Sequence, residues 1–229
     1  MAIENRFNLI DEPWIPIVDV GQVSLRQLFS HAEYRALGGN PVQKIALTKL
    51  LLAIAQAAYT PEDDDDWTKS GANGMAKECL KYLDQWHDRF YLYSERPFLQ
   101  MPAIKAAAVQ NFGAVLAEVS TGNTTVLIQS QVEKSLTDSD KSLLIIQLMG
   151  FGLGGKKTDN SVVLSPGYQG KFNDKGKPST GKPSASIGFL GFLHNFLQGN
   201  SLQETLWLNL FTRKQISDLA KFPQGMGIA

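Results

Sequence analysis

The chain has 229 residues, enough for one large domain or two small ones with a sizeable core, and its 22 basic residues are balanced by 22 acidic ones. Net charge therefore exerts no global pull toward a polyanion, and any nucleic-acid contact must come from a local patch. A single cysteine, Cys79, excludes an intrachain disulfide and a cysteine-rich zinc site, and it fits a reducing cytoplasm.

Residues 1–7 carry Glu4, Asn5 and Arg6 around no apolar core, unlike a signal peptide. The longest apolar stretch, residues 45–59, is interrupted by Thr48, Lys49 and Gln56 and falls short of the roughly twenty residues of a membrane span. The expectation is a soluble, cytoplasmic protein without a membrane partner.

Residues 8–18 hold Pro13 and Pro16 and predict an extended edge segment packed through Trp14 and Ile15, because proline lacks a ladder donor. Gly21 then turns the chain toward a short helix capped by Ser24, giving a hairpin followed by a helix. Asn40-Pro41 supplies a cap and a helix-favouring proline before residues 42–59. There Val42, Ile45, Ala46, Lys49, Leu50, Ala53 and Ala57 repeat near the helical period, predicting a buried central helix.

Residues 60–74, with Pro61, the acidic run 62–66 and two glycines, read as a solvated loop; no calcium-loop alternation is present. Residues 75–90 return to helical spacing. Asp84, His87 and Asp88 share one face there, a geometry open to a metal and equally explained as an exposed charged face. Residues 91–102 are aromatic and bounded by prolines, an irregular packed segment whose rings suit either base stacking or the core. Residues 115–119 and 124–128 read as strands around a Thr121-Gly122-Asn123 turn. Thr137 or Asp138 can cap a helix over residues 139–149.

That helix delivers Gly150-Phe151-Gly152-Leu153-Gly154-Gly155-Lys156-Lys157-Thr158. Glycines leave a backbone free to adopt positive φ and to present bare amides, and the two lysines add charge for a polyanion. The run suits phosphate or a nucleic-acid groove, or else a surface connector. It also matches the first seven positions of a P-loop, but Lys157 stands where the magnesium hydroxyl belongs. No long helix follows, and no later strand ends in a metal-binding aspartate. Residues 156–182 carry six lysines and two aspartates among many glycines, a basic and apolar-poor stretch expected to be mobile without its partner. Helix resumes over residues 189–212, broken at Gly199-Asn200 and recapped by Ser201; residues 220–229 read as loop. The sum is an α+β chain, a single mixed domain over residues 1–229 with a buried central helix, short strands and long loops.

Five segments in order carry a resemblance: Phe7-Asn8-Leu9-Ile10-Asp11-Glu12-Pro13-Trp14-Ile15-Pro16; Phe90-Tyr91-Leu92 with Pro97-Phe98-Leu99-Gln100; Gly150 to Lys156; Thr205-Leu206-Trp207-Leu208-Asn209-Leu210; and Pro223-Gln224-Gly225-Met226-Gly227. Together they resemble the CasA family, large subunits of the type I-E CRISPR surveillance complex Cascade. The resemblance implies a non-enzymatic subunit without cofactor, metal or catalytic residue. It would read the protospacer-adjacent motif of duplex DNA from the minor groove, where the base code is degenerate and backbone approach suffices. Gly150, Gly152, Gly154, Gly155, Lys156 and Lys157 would face DNA. A second loop would meet the 5′ end of the guide RNA through Asn123, Thr124, Thr125, Val126, Leu127, Gln129 and Gln131. Sequence choice would rest on guide pairing. The implied partners are guide RNA, target duplex, the other Cascade subunits and a recruited helicase-nuclease that does the cutting. The resemblance further implies that this is the amino-terminal portion, without the family's lysine finger, glutamine wedge and carboxy-terminal helical bundle. Two other readings are a protein and RNA assembly module that does not read DNA, and a degenerate P-loop nucleotide binder.

Overall fold

Trp14 is the centre around which the amino-terminal segment closes. Its indole N–H donates to the Leu9 carbonyl at 2.8 Å, and Leu9, Ile10 and Trp14 have no exposed surface. The computed structural model describes residues 4–100, 135–150, 172, 174–176 and 194–219. Asn8 starts a turn through its side chain, whose Oδ1 accepts from the Ile10 amide at 2.9 Å, an Asx arrangement that bends the chain locally. Residues 9–12 are therefore a turn, not the extended run expected, and the strand begins only after Pro13.

Among the described residues the strands form two small antiparallel sheets. Strand β1 (Arg6–Asn8) pairs with β4 (Tyr91–Tyr93), Arg6 opposite Tyr93 and Asn8 opposite Tyr91. Strands β2 (Ile15–Ile17) and β3 (Gly21–Val23) form the expected hairpin. Its tip has Asp19 at φ 63° and Gly21 at φ 105°, and the glycine supplies a backbone that a side chain would strain. Helix α1 (Leu25–Ser30) follows, closed by a capping box between Ser24 and Gln27.

Helix α2 (Pro41–Ala58) starts as expected, with Asn40 and Gln43 in a reciprocal capping box and Pro41 in the first turn. Its fully buried residues are Ala46, Leu47, Leu51, Ile54 and Ala55, whereas Ala53 and Ala57 are exposed. The predicted inner face was thus rotated, because a helix apolar on most sides carries little phase information.

Helix α3 (Asp64–Gln85) corrects the loop expected over residues 60–74. Asp63 caps it by accepting from the Asp66 amide at 2.9 Å, and Asp64, Asp65 and Asp66 occupy its first turn. Carboxylates there complement the positive end of the helix dipole. Gly71, at φ 59° and ψ −178°, kinks the helix. A 3-10 turn (His87–Arg89) then leads into β4, which replaces part of the irregular segment expected at 91–102.

Helix α4 (Asp138–Gly150) is capped at Thr137: its hydroxyl accepts from the Asp140 amide and its own amide donates to the Asp140 carboxylate, both at 3.1 Å. Helix α5 (Leu202–Leu208) starts at the expected Ser201 cap, and α6 (Arg213–Leu219) adds a turn the pattern did not foretell. Residues 194–199 are not helical. Asn209 holds them in another conformation, its side chain accepting from the Leu197 amide at 2.9 Å and donating to the Leu197 carbonyl at 2.7 Å.

One core joins these pieces, with α2 packed against α3 and α4, and α3 against α1 and α5. Trp67 on α3 and Trp207 on α5 stack with centroids 4.0 Å apart, and each indole N–H donates to the other residue's carbonyl at 3.0 and 3.1 Å. This mixed α and β architecture agrees with the α+β class expected. The strands expected at 115–128, most of the basic stretch 156–182 and the loop at 220–229 lie outside the described residues.

Candidate nucleic-acid interface

Helix α4 carries the glycine run on its carboxy-terminal end, so its anchoring decides where that run begins. At the amino-terminal end, the Ser139 hydroxyl donates to the Pro13 carbonyl at 2.6 Å. Asp138 accepts from the Tyr93 hydroxyl at 2.8 Å, from Arg6 at 2.5 Å and from Lys141 at 3.2 Å. Arg6 also lies over the Tyr93 ring, 3.9 Å from its centroid, a cation–π contact. Desolvation alone would raise the Asp138 carboxyl, but the hydrogen bonds from Tyr93, Lys141 and Arg6 outweigh it and hold it below the usual carboxylate range.

The other end of α4 is held by shape. A Cβ on Gly150 would stand 3.1 Å from the Ala46 Cβ on α2, closer than ordinary van der Waals contact. The missing side chain at 150 lets α4 pack tightly on α2. Gly150 is the one predicted DNA-facing residue that the structure describes, and its visible role is this contact. Gly152, Gly154, Gly155, Lys156 and Lys157 lie outside the described residues, as do Asn123, Thr124, Thr125, Val126, Leu127, Gln129 and Gln131.

Helix α2 bears Lys44 and Lys49 and no acidic residue, and residues 142–150 of α4 bear no charged side chain. Lys49, half-buried, forms no ion pair or hydrogen bond among the described residues, and desolvation pulls its pKa below the ordinary lysine value. Sequence reading placed Lys49 only as one member of an apolar repeat. Its signal was present as one of two charges on an otherwise uncharged helix.

The Asp84, His87 and Asp88 face resolves into one chain of ion pairs that runs through Arg26 and Asp11. His87 Nε2 meets Asp11 at 2.6 Å, Arg26 bridges Asp11 at 3.0 Å and Asp84 at 2.7 Å, and Asp88 stands 3.8 Å from His87 Nδ1. Among the described residues no group of three histidine, cysteine, aspartate or glutamate side chains is placed to hold a metal. Cys79 is buried, which pushes its thiol up to about 12, far from a reactive thiolate. No helix among the described residues is long and apolar enough to cross a membrane.

A polar cleft of about 540 Å³ between Asn5, Arg89, Ser94 and Arg96 also contains Asp88 and Glu95, a mixture of charges unlike a polyanion site. Phe90 and Phe98 serve the core: their rings stack at 4.9 Å, and the Phe98 amide donates to the Tyr91 carbonyl at 2.9 Å.

Comparison with known proteins identifies this arrangement. The family model described as CRISPR-associated protein Cse1 matches residues 8–224. The chain belongs to the Cse1 family. A curated relative, the CRISPR-associated protein CasA/Cse1 of Thermus thermophilus, is 31% identical over 183 residues, covering 69% of this chain and 36% of the relative. Among solved structures, Cse1 of Thermobifida fusca is similar with a TM-score of 0.69 and 28% identity, covering 90% of this chain and 39% of that one. CasA (Cse1) of Thermus thermophilus gives a TM-score of 0.64 at 25% identity, covering 91% and 41%. A chain from a structure described as a CRISPR RNA-guided surveillance complex shares the fold, with a TM-score of 0.53 at 17% identity over 69% and 36% of the two chains. This Cse1-family chain therefore spans about two-fifths of the length of the relatives it matches. The segments that carried the resemblance have structural duties here: the 7–16 segment plugs the core through Trp14, and Trp207 of the 205–210 segment clasps α3.

Proposed function

We propose that this chain is the motif-reading part of a CRISPR RNA-guided surveillance complex, a non-enzymatic subunit that contacts duplex DNA through the run beginning at Gly150. The observation that carries the reading is the rigid root of that run, α4 pinned by Asp138 and Ser139 at one end and by Gly150 on Ala46 at the other, in a chain of the Cse1 family. A glycine and lysine segment on so fixed a base can approach a groove with backbone atoms while Lys156 and Lys157 meet phosphates. Minor-groove approach distinguishes base pairs only coarsely, and guide pairing supplies the remaining sequence choice.

Residues 123–131 contact the 5′ end of the guide RNA on this reading, and the assembled complex recruits a helicase-nuclease after target binding. The chain works in the cytoplasm. Duplex binding tests the reading against an assembly module. The isolated chain should bind duplex weakly and with strong salt dependence, with a dissociation constant of about 10⁻⁴ to 10⁻⁶ M at physiological salt. Lys156→Ala with Lys157→Ala should flatten that salt dependence. An assembly module would show the same duplex affinity with and without the two lysines.

A further inference from the structure

Lys49 sits on α2 three residues beyond Ala46, which puts it about 4.5 Å further along the axis and about 60° around it. Ala46 is the residue against which Gly150 packs, so Lys49 lies on α2 within about one helical turn of that contact. Its surroundings are unusual for a cation. The helix that bears it has no acidic residue, and the facing half of α4 has no charge at all. The lysine is half-buried and makes no ion pair or hydrogen bond among the described residues. An ammonium removed in part from water without a partner raises the energy of its charged form, and desolvation shifts Lys49 in that direction.

The other lysine near an end of α4 differs. Lys141 already has partners: it pairs with Asp138 at 3.2 Å and donates to the Tyr93 hydroxyl at 3.2 Å. Lys49 alone of these two has its electrostatic capacity unspent, and an anion arriving from outside would recover what partial burial costs.

We propose that Lys49 is a phosphate contact for duplex DNA, a cation on α2 within about one helical turn of the contact that seats Gly150. The proposal rests on the DNA-reading assignment above and deepens it by adding a contact on the rigid scaffold. A backbone phosphate suits the geometry because a lysine presents a single compact charge at the end of a flexible stem, which fits sequence-independent contact.

The test uses the full chain and a short fluorescent duplex of mixed sequence, titrated at several salt concentrations. Lys49→Met should weaken binding several-fold and reduce the slope of log affinity against log salt by about 0.9, the value of one phosphate contact. Lys49→Arg should keep the wild-type slope, and Lys141→Met should leave it unchanged. Amine-reactive labelling of the wild-type protein read by mass spectrometry supplies an independent measurement without any variant. Duplex should protect Lys49, while exposed Lys77 and Lys81 on α3 stay reactive. A Lys49→Met slope equal to wild type, or equal labelling of Lys49 with and without duplex, overturns this contact and leaves the DNA-reading assignment standing. No duplex binding by the wild-type chain at low salt overturns both.

Discussion

The two ends of α4 are fixed by opposite means. At Asp138 three side chains, Tyr93, Arg6 and Lys141, converge on one carboxylate, which both cations share. At Gly150 the helix is fixed by the absence of a side chain against Ala46, and Lys49 on α2 has no partner among the described residues. The paired end is committed to holding the fold. The end without pairing keeps a steric fit and free charge, the combination that suits an external polyanion. The contrast separates what positions the glycine run from what the run could bind.

The largest effect expected is at the steric end. Gly150→Leu should overpack the α2–α4 contact and cost about 1–3 kcal/mol of folding stability in denaturant titration. Gly150→Ala, whose Cβ would need Ala46 to yield by a few tenths of an ångström, should cost less. Equal stability for all three proteins would mean that shape does not fix this end.

At the charged end, Asp138→Ala should cost about 1 kcal/mol, modest because the paired groups are partly exposed, and should leave duplex affinity at its wild-type value. Asp138 also sets a pH dependence. Its carboxyl is held below the usual range despite desolvation, through Tyr93, Lys141 and Arg6. Asp11 is likewise lowered against desolvation, by His87 and Arg26. A depressed folded pKa stabilises the fold above the unfolded value of about 4, and that contribution disappears as pH falls through the folded pKa. Thermal midpoints should therefore drop as pH falls from about 5, and less steeply in the Asp138→Asn protein. Identical acid profiles would remove Asp138 from the account.

Sequence reading and structure part company where structure depends on distant partners. The caps at Ser24, Asn40 and Ser201 were legible because each acts within three residues of itself. Strand β4 was not, since three residues become a strand only beside β1. The spacing around residues 194–198 suggested helix, yet Asn209 takes the polar groups of Leu197 and prevents it. The acidic run that caps and opens α3 is a local signal too, but its charge density reads as a solvated loop unless it is weighed against the helix dipole. In the candidate site the glycine run was plain in sequence. The packing of Gly150 on Ala46 and the isolation of Lys49 needed the α2–α4 contact to be seen.

The smallest stability effect expected is at Lys49. Removing a partly desolvated, unpaired cation should leave the thermal midpoint of Lys49→Met unchanged or slightly raised, whereas Lys141→Met should lower it. A clear loss of stability in Lys49→Met would assign that lysine to the fold.

Target binding by the guide-loaded surveillance complex, assembled with a Cse1 subunit carrying Gly152→Leu and Gly154→Leu within this segment, tests the central claim most directly. The account predicts that the complex assembles on its guide RNA yet loses motif-dependent binding of duplex target, because the side chains hold the backbone out of the groove. Assembly followed by wild-type affinity for the target would contradict it and reduce the glycine run to a connector.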